Sequence, residues 1–214
     1  MRRNSGFTLI ELMIVISIIG LLTAALLPRI RDSQVMAYIT SDCANLQWQH
    51  GTLVTYKNKV GWLPGQDGHR FVLAPWVEGI VEHTEENFDR YFTPGRREND
   101  ATWISLRPSV QRGVDPWPSL AGVTSADTSY AGRSKAHMTS REAGGNEAWL
   151  ADDNEGGCSH ADGTVNVLFY GGTVRTYSYP QQVSLFAAPP FDAAESVAMT
   201  GSGALIPFCR KLNL

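Results

Sequence analysis

The chain has 214 residues, of which 43% are apolar and 18% charged, with a formal net charge of −3. That length suits one domain with at most an appendage. The near balance of 18 Lys+Arg against 21 Asp+Glu excludes a binder driven by phosphate neutralisation, so no nucleic-acid partner is expected. Three cysteines are too few for a disulfide scaffold and form no C-x-x-C pair.

The apolar residues are concentrated at the N-terminus. In the 21 residues from 7 to 27, FTLIELMIVISIIGLLTAALL, only Thr8, Glu11, Ser17, Gly20 and Thr23 are not apolar. As a helix this segment is roughly 32 Å long, enough to cross a bilayer core. The rest of the chain has an ordinary globular share of apolar residues, about 40%. A membrane-competent stem and a soluble head follow. A cleaved secretory signal fits poorly, because the apolar run is too long and ends at Pro28-Arg29 without a small-residue cleavage site. It also carries a carboxylate, Glu11, and an acid at membrane depth is costly enough that a functional role is the default reading.

Arg2-Arg3-Asn4-Ser5-Gly6 followed by Phe7-Thr8-Leu9-Ile10-Glu11-Leu12 resembles the N-terminal signature of type IV pilin-like proteins, a superfamily that includes type IV pilins and type II secretion pseudopilins. The resemblance implies a short basic leader, residues 1–6, cut after Gly6 by a prepilin peptidase that also N-methylates the new terminus, Phe7. It implies that Glu11 is the acid used in assembly, and that Gly20 and Pro28 weaken or kink the stem helix. Arg2 and Arg3 place the leader on the cytoplasmic side by the positive-inside bias. The expected location is therefore the bacterial inner membrane, spanned once with the head outside, and afterwards a pilus or periplasmic pseudopilus.

Beyond the stem, Met36, Ile39, Cys43, Leu46, His50 and Leu53 recur at alternating steps of three and four, one helical stripe. Asp42, Asn45 and Gln49 fall mainly off it. One helix from about 7 to 58 is expected, stopped by Gly61 and Pro64, with residues 28–60 as its amphipathic half. The β-rich head then runs from 61 to 214. Residues 71–81 read as a strand broken at Pro75, 83–92 as a short helix capped by Thr84, and 101–108 as a strand. The stretch 111–157 reads as long loops. Residues 164–179 carry the clearest β signal, with Val165, Val167 and Phe169 alternating and Gly171-Gly172 supplying the hairpin turn. The fold class is α+β: a long N-terminal helix packed on an antiparallel sheet with long loops.

No phosphate loop, nucleophile elbow or H-E-x-x-H motif occurs. Asp152-Asp153-Asn154-Glu155 is an acidic run whose plain reading is a solvated loop; some pseudopilins hold calcium in the head, so the resemblance makes it a candidate calcium loop, and otherwise no cofactor is expected. Calcium prefers about six to eight oxygens, more than this run alone supplies. Cys158, His160 and Asp162 alternate and would share one face of an extended chain, three of the four ligands of a transition-metal site. The structural alternative is a disulfide. Three single pairs are open, and Cys158–Cys209 is favoured because Cys43 lies on the helix stripe.

A second, weaker resemblance is to pilin-like proteins of planctomycete-type bacteria that end with a His, nine residues, then Asp-Gly. Here His160 is followed by nine residues and then Tyr170-Gly171, so Tyr170 replaces the acid. Tyr130-Ala131-Gly132 fits the same group loosely.

The function expected is a structural subunit of a type IV pilus or type II secretion pseudopilus, not an enzyme. Its implied partners are the prepilin peptidase/N-methyltransferase, other pilin or pseudopilin subunits, and an inner-membrane assembly platform. The alternative is a membrane-anchored extracytoplasmic enzyme or binding module on a pilin-like stem. For that, His69, His83, His137 and His160 would have to gather in one cleft.

Overall fold

The structure, a computed structural model, describes residues 8–134, 147–152, 159–186, 209 and 212–213. The chain divides into two compact units, Met1–Ala37 and Tyr38–Leu214. The fold is α+β, as expected from the sequence.

The first helix, α1 (Leu9–Val60), starts in the first unit and ends in the second. It runs unbroken through Gly20 and Pro28. Its stem is exposed on every side, from Leu9 at 76% through Leu21 at 74% to Ile30 at 51%. The stem's hydroxyls are satisfied within the helix: Ser17 Oγ donates to Met13 O and Thr23 Oγ1 to Ile19 O, each at 2.8 Å. Such residues then present no unpaired polar group to an apolar phase. At the far end Gly61 takes a positive φ of +92° and donates its N–H to Lys57 O, closing the helix where expected.

Within the second unit, α1 buries Ile39, Asp42, Asn45, Leu46, Gln49, Leu53 and Tyr56. This corrects the expected stripe. Met36 is 61% exposed, while Cys43 and His50 lie half-buried beside the true stripe. The helix turns Asp42, Asn45 and Gln49 inward because the head holds partners for them; Gln49 Nε2, for example, donates to Arg90 O at 3.0 Å.

Two expected strands are helices. Residues 68–77 form α2 (Gly68–Val77), in which Phe71, Val72, Leu73, Ala74 and Trp76 are all essentially inaccessible. A short apolar run buried all round has no period by which a strand can be told from a helix. Residues 101–111 form α4 (Ala101–Gln111), started by Asp100, whose Oδ1 accepts from Thr102 N at 2.8 Å and Trp103 N at 2.9 Å. Between them α3 (Glu85–Asp89) is the expected short helix, with the Thr84 side chain accepting from Asn87 N at 3.2 Å.

The sheet is antiparallel throughout, ordered β4-β3-β2-β1-β5. Its members are β1 (Tyr130–Arg133), β2 (Ala148–Asp152), β3 (Val165–Phe169), β4 (Val174–Tyr177) and β5 (Leu212–Asn213). The β3–β4 hairpin is as expected, with Gly172 at φ +81° in the turn. At Gly172 an added Cβ would also lie 2.9 Å from the His50 ring, so a larger residue would have to displace that side chain as well as hold a strained positive φ. Strands β1 and β2 fall in the stretch read as loops, a correction whose cause is burial on both faces: every residue of each is inaccessible, so alternation is absent. A last helix, α5 (Tyr179–Phe186), follows β4.

Two cores flank the sheet. One joins Leu46 and Leu53 of α1 to Phe71 and Trp76 of α2, Phe88 of α3, and Tyr130, Leu150 and Leu168 of the sheet. The other holds Ala131, Ala151, Val165, Val167, Phe169, Cys209 and Leu212. Packing of α2 on β1 is tight enough that a Cβ at Gly132 would sit 2.2 Å from Gly68 O.

Candidate functional site: the stem terminus and a buried acid cluster

Each half of α1 carries one acid in an unusual setting. Glu11 lies in the first turn of the stem. Its Oε2 accepts from both Thr8 N and Thr8 Oγ1 at 2.8 Å, while Thr8 Oγ1 accepts from Glu11 N at 3.3 Å. This reciprocal capping box satisfies orphan donors at the helix start. Both of Thr8's bonds fall on Oε2, so the other carboxylate oxygen takes part in neither. Around it an 18-residue window reaches a mean hydropathy of 2.5, with none of the window buried in the chain. Among the described residues this is the one helix long and apolar enough to cross a membrane. Gly6 and Phe7, the expected processing site, lie outside the described residues, as do residues 1–5.

In the head, Asp42 on α1 is fully buried with Asp152 at the end of β2 and His160 just before β3. His160 Nε2 lies 3.0 Å from Asp152 Oδ2 and 3.6 Å from Asp42 Oδ2. Tyr130 donates its hydroxyl to Asp42 Oδ1, and Asn166 Nδ2 donates to Asp42 Oδ2 at 2.9 Å. Asn166 N donates to Asp152 Oδ1 at 2.8 Å. Asn166 Oδ1 accepts from Thr176 Oγ1 at 2.7 Å and from Cys43 Sγ at 3.2 Å.

Burial works against charge on His160, but its hydrogen bonds to the Asp152 and Asp42 carboxylates outweigh it and hold the imidazolium well above its ordinary range. Asp152 is pushed up by burial and by the neighbouring Asp42 carboxylate, against the pull of His160. Burial also pushes up the Cys43 and Cys209 thiols, leaving neither activated as a nucleophile.

The family model for the prokaryotic N-terminal methylation motif matches residues 1–27. The chain is also 30% identical over 151 residues to the type IV major pilin protein PilE1 of Neisseria gonorrhoeae, an alignment covering 59% of this chain and 84% of that pilin. The chain belongs to the type IV pilin-like family. No solved structure matches it significantly. The pilin-like sequence signature and the apolar helix thus coincide on the same N-terminal segment.

Among the described residues, His69, His83 and His160 sit in separate surroundings and not in the single cleft that an enzyme on a pilin-like stem would need. His83 stacks on Trp76 with centroids 4.4 Å apart and sits 3.5 Å from Asp115. His50 Nε2 lies 3.1 Å from Tyr170 O, at a hairpin turn. His69 has both ring nitrogens buried without a hydrogen-bond partner, and His160 belongs to the acid cluster. His137 lies outside the described residues. A polar cavity of about 300 Å³ beside Arg96, Asn99 and Ser129 has no histidine among the described residues of its wall.

His160 and Asp162 do not share a face. Asp162 instead caps its own turn, accepting from Thr164 N at 3.0 Å and Thr164 Oγ1 at 2.8 Å. Of the candidate calcium loop, Asp152 is buried and directed at His160, whereas Asp153, Asn154 and Glu155 lie outside the described residues. Cys209 is a buried free thiol, and Cys158, its expected partner, is also outside them. Asp42, Asn166 and Thr176 were invisible to motif reading, because each is ordinary in its own segment and meaningful only through tertiary contact.

Proposed function

We propose that the chain is a filament subunit, cut after Gly6, N-methylated at Phe7, and held in the inner membrane before assembly into a type IV pilus or type II secretion pseudopilus. A prepilin peptidase would process it, an inner-membrane platform would extract it, and other pilin or pseudopilin subunits would surround its stem. The single observation that carries this reading is a stem exposed on all sides over a bilayer-length apolar stretch, with one acid in its first turn. A helix with no partner for its apolar surface is covered by lipid in storage and by neighbouring stems in a polymer.

Cleavage creates an ammonium group at Phe7, four residues before Glu11. In an apolar phase two opposite charges offset their desolvation only when closely paired. Glu11 of one subunit and the Phe7 amine of a neighbour supply such a pair, giving register to an otherwise featureless apolar bundle. Loss of Arg2 and Arg3 with the leader moves the formal net charge from −3 to −5, which suits a soluble filament surface.

Mass spectrometry of the N-terminal peptide from membrane-extracted protein tests the reading. A chain beginning at methylated Phe7 is expected. An intact Met1, or a cut near residue 27, contradicts it.

A further inference from the structure

Asp42, Asp152 and His160 each offer a ligand atom, these atoms lie within 4.8 Å of one another, and all three residues are buried. They come from α1, from the end of β2 and from the segment before β3: Asp152 and His160 are eight residues apart, and Asp42 is more than a hundred residues from either. We propose that they hold one divalent first-row transition ion of the zinc type, a site that pins the helix to the sheet.

The ligand spacing fits. A tetrahedral ion with bonds of about 2.0–2.1 Å separates its ligand atoms by about 3.3–3.4 Å. The His160–Asp152 and His160–Asp42 separations of 3.0 and 3.6 Å bracket that edge. A fourth corner is already occupied by a polar atom, the Asn166 amide group, 2.9 Å from Asp42 Oδ2 and 3.2 Å from His160 Nε2. Carboxamide orientation is assigned from hydrogen bonding and not from atom identity. Turned by half a rotation, Asn166 presents its oxygen at that corner, and the Thr176 hydroxyl, which accepts as well as donates, takes the amide N–H₂ in exchange.

Hydrogen bonding without an ion is incomplete. Asp152 is 1% exposed, and its Oδ2 faces His160 Nε2 at 3.0 Å without a well-directed hydrogen bond. A single Nε2–H on His160 cannot serve two carboxylates while also facing the N–H₂ of Asn166. Arg133, also buried, forms an ion pair with Glu147 at 2.8 Å. Two carboxylates against one imidazolium leave a net negative charge in a dry interior, where uncompensated charge is costly. A divalent ion with neutral imidazole makes the site neutral. Imidazole with carboxylate suits zinc and its neighbours, whereas calcium takes about six to eight oxygens and has no use for a nitrogen. With every ligand buried, the site has the closed character of a structural metal centre.

The test uses the full chain, purified in detergent without chelator or polyhistidine tag. Elemental analysis is expected to find zinc or a neighbouring transition metal in equimolar amount. Cobalt(II) exchanged into the site should give the visible absorption bands of a tetrahedral centre. EDTA should lower the melting midpoint by several degrees, with zinc and not calcium restoring it. Asp42→Asn and His160→Gln should lose the metal, and Asp162→Asn, whose carboxylate caps the adjacent turn, should keep it. If the ligand variants fail to fold, the cobalt spectrum of the unsubstituted chain decides. Absence of metal, of cobalt bands and of any EDTA effect overturns the proposal and leaves a metal-free ion triad. Restoration by calcium alone overturns it as well.

Discussion

The stem and head portions of α1 solve opposite problems with the same backbone. In the stem, polar side chains turn back on their own helix: Glu11 bonds Thr8, Ser17 bonds Met13 O, and Thr23 bonds Ile19 O. In the head, they reach outward: Asp42 meets Tyr130 and Asn166, and Gln49 meets Arg90 O. A helix that meets lipid or identical neighbours has to satisfy its polar groups within itself until a neighbour offers a charge partner. A helix that belongs to a folded head can use polarity to fix where it sits. The two acids, Glu11 and Asp42, are therefore expected to answer substitution in opposite ways.

The largest effect on head stability should come from Asp42→Ala. It strips partners from buried Tyr130, Asn166 and His160 at once, and removing one member of a buried charged set typically costs about 3–5 kcal/mol. Thermal melting of the full chain in detergent should show a large downward shift; an unchanged midpoint would mean that polarity in this half of α1 is not structural.

A smaller loss is expected from Gly132→Ala, which drives a Cβ into Gly68 O where α2 packs on β1. Overpacking of this kind costs about 1–3 kcal/mol, readable by denaturant unfolding, and wild-type stability would show that the α2–β1 contact yields easily. Asp100→Ala should cost less again, about 1 kcal/mol for a lost cap on α4. If hydrogen exchange in residues 101–104 did not quicken, that capping role would be refuted.

The same contrast explains what could be read from the chain without its structure. The stem was legible because lipid imposes a one-sided composition over some twenty residues. The β3–β4 hairpin was legible because Val165 to Phe169 alternate into a Gly-Gly turn. In the head half of α1, Ile39, Leu46 and Leu53 mark the buried stripe as their spacing implies, but Cys43 and His50 stand in for their neighbours Asp42 and Gln49, because an apolar criterion skips a stripe that is partly polar. Strands β1 and β2 and helix α2 were hidden by burial on all sides, which removes the periodic signal. The sheet's arrangement and the α1 packing were legible only as a class. His160 was noticed, but with Cys158 and Asp162 as neighbours. Of its companions, Asp152 comes from the end of β2 and Asp42 through the packing of α1 against the sheet, which sequence spacing does not encode.

Glu11→Ala should have the smallest effect on the head and the most complete effect on function. The variant should melt like the unsubstituted head and yield the same methylated Phe7 peptide, because among the described residues the Glu11 side chain hydrogen-bonds within its own helical turn, to Thr8. Co-expressed with the unsubstituted subunit in a filament-forming cell, it should remain in the membrane fraction and be missing from sheared filaments, as an unpaired neighbouring amine no longer finds its carboxylate. Quantifying the two forms in the sheared fraction by mass spectrometry is the most direct test of the stem as a charge-registered filament core. Near-complete exclusion of Glu11→Ala is the predicted result, and its incorporation in proportion to expression would contradict it.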